Sequence, residues 1–427
     1  MKIYNFINTL FFLMLISNFS ATSQNKKIEL NNNTIDKNIH TALLHKIDDP
    51  LSYPIIKLNS DEKLQLSFDD FNRELIDYYY TVIHCNSDWT RSDLMQSEYI
   101  DGFFNSRIVD YEFSFNTLNK YINYQLVFPE DNLQPMLSGN YIISVFKNNN
   151  PDDVVLQKRF MLIDEKVSIS SRVKRATIID ERLYKQEIDF NIIHGNMYIA
   201  NPYSDIKVVI KQNNREDNSI NNLKPLFVKQ DHLVYDYEQE NTFEAGNEYR
   251  YFDTKSIRYQ SERIKDITID SNNINVELFT DISRSFNEFI SLPDINGNFL
   301  VKKQEAWNSD TESEYVNVKF TLLENRKVSY GDLYLIGRFT DWLIKDEYKL
   351  IWNESTRKYE CNILLKQGYY NYLYILKDNS SNKTYLSFTE GSHYQCKNEY
   401  YIYVYFRDTG KTYDQLIGYL KTSSDLF

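Results

Sequence analysis

The stretch Tyr121-Ile122-Asn123-Tyr124-Gln125-Leu126-Val127-Phe128, with Tyr141-Ile142-Ile143-Ser144-Val145-Phe146 after a Ser138-Gly139-Asn140 turn, decides the fold. Alternating residues of a strand point to opposite faces, so a period of two marks a sheet with one face in a core. The break Asn148-Asn149-Asn150-Pro151-Asp152-Asp153 reads as a hairpin connection into Val154-Val155-Leu156-Gln157-Lys158-Arg159-Phe160-Met161-Leu162. Leu64-Gln65-Leu66-Ser67-Phe68 and Tyr111-Glu112-Phe113-Ser114-Phe115 carry the same pattern upstream. About seven short strands at such spacing predict an antiparallel β-sandwich, ending near Asp164-Glu165.

The style continues to the C-terminus. Glu187-Ile188-Asp189-Phe190-Asn191-Ile192 and Ile206-Lys207-Val208-Val209-Ile210-Lys211 are strands, and the polar run from Asn213 to Asn222 is a loop. A boundary is expected near residue 305. Beyond it Tyr315-Val316-Asn317-Val318-Lys319-Phe320 opens a third region, in which Tyr400-Tyr401-Ile402-Tyr403-Val404-Tyr405-Phe406 is expected to be the last strand. The expected organisation is a leader over 1–23 and tandem immunoglobulin-like antiparallel sandwiches over 24–165, 166–305 and 306–427, an all-β protein. A transmembrane barrel would also alternate, but a mean hydropathy of -0.54 and many charged strand positions favour sandwiches in water.

Composition narrows the function. With 11 glycines among 427 residues, glycine-rich cofactor loops are poorly supplied, and neither GxGxxG nor GxxxxGK[ST] occurs. Six histidines without an HExxH give no zinc-hydrolase signature, and no GxSxG elbow is present. Adjacent acids such as Asp69-Asp70 and Asp152-Asp153 read as solvated turns and strand ends, not as the paired carboxyls of glycoside hydrolysis. Neither an enzyme, a metal, a cofactor nor a small-molecule substrate is expected. Residues 24–165 hold 13 Lys and Arg against 22 Asp and Glu, a net of -9, while the rest is nearly balanced. Nucleic acid needs clustered cations and is excluded as a partner; a basic protein surface suits this acidity.

The N-terminus reads as an export signal. Lys2 precedes Leu10-Phe11-Phe12-Leu13-Met14-Leu15-Ile16, too short to span a bilayer, and Ala21-Thr22-Ser23 offers small residues for cleavage. No later segment is long and apolar enough for a membrane helix, so the mature protein is not expected to span the membrane. Export permits disulfides. Cys361 and Cys396 fall in one expected domain, where pairing stays open, and Cys85 would be a buried free thiol.

Patterning alone ends at an exported all-β chain; three segments go further. His84-Cys85-Asn86-Ser87-Asp88-Trp89-Thr90-Arg91 through Tyr99 and Gly102-Phe103 follows the strand-like Tyr78–Ile83. Asp110-Tyr111-Glu112-Phe113-Ser114-Phe115-Asn116-Thr117-Leu118 and Gly246-Asn247-Glu248-Tyr249-Arg250-Tyr251-Phe252-Asp253 come after it, and Lys366-Gln367-Gly368-Tyr369-Tyr370-Asn371-Tyr372 adds a fourth. In this order they resemble the plug protein family of the type IX secretion system of Bacteroidota-type bacteria. The resemblance implies a periplasmic protein at the outer membrane that binds the translocon barrel (SprA type) and closes its periplasmic mouth when no substrate is in transit. It implies no catalytic residue.

Loops on rigid sheets commonly carry contacts, and Trp, Tyr and Arg anchor interfaces. Trp89, Arg91, Tyr99 and Phe103, with Tyr249 and Arg250, are therefore the expected partner-binding residues. The alternative function lies in the C-terminal region. Gly337-Arg338-Phe339-Thr340-Asp341-Trp342 resembles early-set immunoglobulin-like modules that bind starch or glycogen, in which Trp342 would stack on a sugar ring.

Overall fold

The computed structural model describes residues 32–424 apart from Arg73 and Asn272; the expected leader lies outside the described residues. Strands dominate, helices are single turns, and no sheet of the described residues closes into a barrel. No helix of the described residues is long and apolar enough to cross a membrane.

The first lobe is a two-sheet sandwich. One sheet runs in the order β1 (Ile39–Lys46), β2 (Leu64–Asp70), β5 (Ile122–Phe128), β4 (Asp110–Phe113). The other centres on β3 (Tyr78–Cys85), β6 (Gly139–Lys147) and β7 (Val154–Ile163). Alternation does what the sequence predicts: Leu64, Leu66 and Phe68 face Tyr124, Leu126 and Phe128 in one core with Tyr141, Ile143 and Val145. Ile142 belongs to the other face of β6 and is buried as well, because the second lobe covers that face.

The second lobe opens with β8 (Ser168–Arg175), β9 (Lys185–Ile193), β10 (Ile206–Gln212) and β11 (His232–Tyr235). The third contains β12 (Arg250–Asp253), β13 (Ile264–Ile269), β14 (Ile274–Leu278), β15 (Tyr315–Leu323), β16 (Gly331–Ile336), β17 (Lys358–Lys366) and β18 (Gly368–Asp378). The chain then returns to the second lobe through β19 (Glu399–Phe406) and β20 (Gln415–Ser423).

This return departs from the expected linear division. β19 pairs with β10 along its whole length, Ile206 opposite Phe406 and Gln212 opposite Tyr400. The second core joins Ile188, Phe190 and Ile192 to Tyr400, Ile402 and Val404. β12 belongs instead to the third lobe, paired with β18. The third sandwich is thus inserted into the second, and no boundary falls at residue 305. Tyr400–Phe406 is not the last strand, since β20 follows and lies beside it. Alternation identifies each strand but carries no information on which distant strand it pairs with.

Candidate functional site

The segment His84–Phe103 turns out to be a joint between lobes. Asp414, fully buried, accepts hydrogen bonds from the Ser87 amide (3.0 Å) and hydroxyl (2.8 Å), Lys207 Nζ (2.9 Å) and Arg407 Nε (2.7 Å). Burial alone would push this carboxyl up, but the bonds from Arg407, the Ser87 amide and Lys207 outweigh it and bring its pKa down to about 2. Tyr405 donates to Asn140 Oδ1 (2.8 Å), and Asn140 Nδ2 donates to the Asn86 carbonyl (2.9 Å). Gly139 sits under this joint at φ +149°, where a Cβ would come within 2.6 Å of His84 Nε2 and 3.1 Å of the Asp414 carbonyl. Burial lowers the His84 pKa to about 4, so its ring is neutral at pH 7.

Trp89 folds inward. Its backbone takes φ +63°, the ring is only 8% exposed, and the Arg159 guanidinium lies 4.4 Å from its centroid. It lines a cavity of about 80 Å³ where all three lobes meet, together with Tyr53, Lys211, Tyr403, Arg338 and Trp342. Charged pairs cross this junction. Lys158 of the first lobe holds Asp341 of the third at 2.8 Å, and Arg159 reaches Glu216 of the second at 3.4 Å. Arg338 donates to the carbonyls of Leu51 (3.0 Å) and Ser52 (2.8 Å) and lies 4.8 Å from the Tyr53 ring centroid.

Trp342, expected to stack on a sugar ring, is folded back into the body in this structure. Asp341 and Trp342 adopt φ +52° and +59°, which folds the indole back until it is 6% exposed. Tyr249 meets it edge-on at 6.1 Å and Arg215 lies 5.6 Å from its centroid. A Cβ on Gly297 would be 2.3 Å from the ring, so glycine is required beneath it.

The other expected contact residues divide sharply. Tyr99 and Tyr249 are buried in the fold. Arg250 is buried between Asp281 (2.9 Å) and Glu390 (3.1 Å). Only Arg91 and Phe103 remain exposed among the six. A rich anchor chemistry serves inward contacts as readily as outward ones, and sequence does not separate the two. Asp69 and Asp70 are also internal: Asp69 binds Lys366 and Tyr315, and Asp70 accepts from Tyr78 (3.0 Å). Cys361 lies on β17 and Cys396 on the segment returning to the second lobe; all three thiols are free and buried. Among the described residues, Glu187, Asp189 and Asp236 could together face a cation, but Lys174 already bridges Glu187 (3.1 Å) and Asp189 (2.6 Å).

What sequence reasoning missed is the open edge of the first lobe. β4 ends its sheet, all four of its residues are exposed, and Val109, Tyr111, Phe113 and Phe115 add apolar surface there. The signal was present as an alternating aromatic run beside acids, but it was legible only as a strand.

Residues 39–164 match the family model described as the first domain of the type 9 secretion system plug protein. No curated protein matches the chain. A crystal structure of a hypothetical protein from Parabacteroides merdae ATCC 43184 is similar, with 34% identity, TM-score 0.90, and 93% of this chain and 100% of that chain covered. By its first domain, residues 39–164, the chain belongs to the type IX secretion system plug protein family.

Proposed function

We propose that the protein works without covalent chemistry, as a periplasmic plug that binds the outer-membrane translocon barrel (SprA type) and closes its periplasmic mouth between substrates. The family gives it a role connected with type IX secretion. The observation that carries the finer reading is the locking of three sandwiches into one body. The Ser87–Asp414 bonds, the Lys158–Asp341 pair and the Lys366–Asp69 pair each tie the first lobe to another through largely buried polar groups. A body that closes a wide pore must resist deformation, and satisfied buried networks fix one arrangement of their partners. The acidity of the first lobe would steer it toward a basic rim, with exposed Arg91 and Phe103 as contact candidates.

The test is a pull-down of the tagged, exported protein under mild detergent. The plug reading expects an outer-membrane barrel to come down with it, insensitive to oligosaccharide. Recovery without any barrel, in cells whose translocon is assembled, contradicts it.

A further inference from the structure

The outer edge of β4 has no neighbouring strand among the described residues. Its inner neighbour is β5, with Asp110 opposite Gln125, Tyr111 opposite Tyr124, Glu112 opposite Asn123 and Phe113 opposite Ile122. The ladder continues with the Ser114 amide donating to the Tyr121 carbonyl (2.9 Å), while the Phe115 amide turns outward to the Thr311 carbonyl (2.9 Å). In an antiparallel pair hydrogen-bonding direction alternates along the strand. The amides and carbonyls of Tyr111 and Phe113 therefore share the outward direction of Phe115, and among the described residues no strand meets them.

Side chains on this edge are sorted by chemistry. Tyr111 and Phe113 stand on one face, their rings 6.0 Å apart, with Phe113 62% exposed. Asp110 and Glu112 stand on the other, also exposed. Asn308 Nδ2 donates to Glu112 (3.1 Å) on the acidic face.

We infer that β4 docks an extended segment of a partner protein that alternates basic and apolar residues, added antiparallel as a further strand. Main-chain bonds to Tyr111 and Phe113 would supply affinity, and the alternating faces would supply selectivity. A second copy of this chain is disfavoured by charge. Antiparallel self-pairing that sets aromatic against aromatic, Tyr111 opposite Tyr111, sets Asp110 opposite Glu112, and like charges directly opposite are destabilising. This extends the exporter reading to a named surface, but its test uses no exporter component, so the two can fail separately.

The experiment titrates the purified protein with two short peptides, one alternating lysine with isoleucine and one alternating glutamate with isoleucine. The lysine peptide is expected to bind and to slow hydrogen exchange at the Tyr111 and Phe113 amides. Tyr111→Val keeps the amide and binds; Tyr111→Pro removes the outward amide without touching the β5 ladder and weakens binding about tenfold or more. Glu112→Lys weakens the lysine peptide and favours the glutamate one, which decides the matter if the proline variant does not fold. Equal binding of both peptides, protection elsewhere, or full binding by a folded Tyr111→Pro overturns the inference. So does a dimer in sedimentation that Tyr111→Pro dissociates, since the edge would then belong to a second copy.

Discussion

The ammonium of Lys366 lies 2.5 Å from the Asp69 carboxylate, joining β17 of the third lobe to β2 of the first across 297 positions of sequence. Both side chains are buried, and Tyr315 (2.6 Å) and Asn123 (2.8 Å) donate to the same carboxylate. Removing one partner of such a pair leaves a charge with no solvent. Lys366→Met is expected to cost about 3–5 kcal/mol in chemical denaturation. Adding Asp69→Asn, which neutralises the orphan, should recover a substantial part of that loss.

Two carboxyls set opposite limbs of the pH profile. Asp414, held near pKa 2 against an ordinary 3.8, stabilises the fold above about pH 4, and this contribution is lost as pH falls toward 2. Asp414→Asn should lower stability at pH 7 by about 2 kcal/mol and flatten the acid limb. Burial, then the nearby Asp294 charge, raises Glu248 from 4.5 to about 7. Its favourable contribution is complete below its unfolded value and is lost as pH rises through 7. Glu248→Gln should therefore melt above wild type at pH 8, with little advantage at pH 5.

Thiol chemistry follows burial. Burial pushes the Cys85 pKa to about 12 and that of Cys361 to about 11, and raises Cys396 as well. A thiol-specific reagent should label none of the three in the native protein and all three in denaturant without reductant. Fewer than three in denaturant would reveal a disulfide.

The loop after β3 separates core from surface residue by residue. Trp89→Ala should cost about 3–5 kcal/mol, because it empties the three-lobe junction. Arg91→Glu, two positions on and exposed, should leave the melting temperature unchanged. Equal stability of both variants would contradict the inward placement of Trp89.

The strands themselves were legible because period two survives where the second face carries polar side chains, as Gln65 and Ser67 do between Leu64 and Phe68. Runs such as Tyr141–Phe146 and Tyr400–Phe406 carried a further message: they are nearly continuous because both faces are covered. On β19, Tyr400, Ile402 and Val404 fill the second core, while Tyr405 and Tyr403 turn toward the first lobe. The nested topology was not legible, since pairing of β10 with β19 depends on contacts nearly 200 positions apart.

Site residues were the least legible layer. Trp89, Tyr99, Tyr249, Arg250 and Trp342 stood out by residue type, and all five are internal. Left-handed backbone at Trp89 and Trp342 turns each indole inward, and residue type alone does not announce that conformation at tryptophan. The exposed edge at Tyr111 and Phe113 was visible as alternation; its lack of a neighbour is a property of the assembled sheet.

Closure of the translocon is tested most directly by outer-membrane permeability in cells that lack this protein but retain the barrel. Uptake of a large antibiotic normally excluded by size should rise and return to normal when the wild-type protein is restored. Unchanged uptake, with the barrel present and no substrate in transit, would contradict the plug.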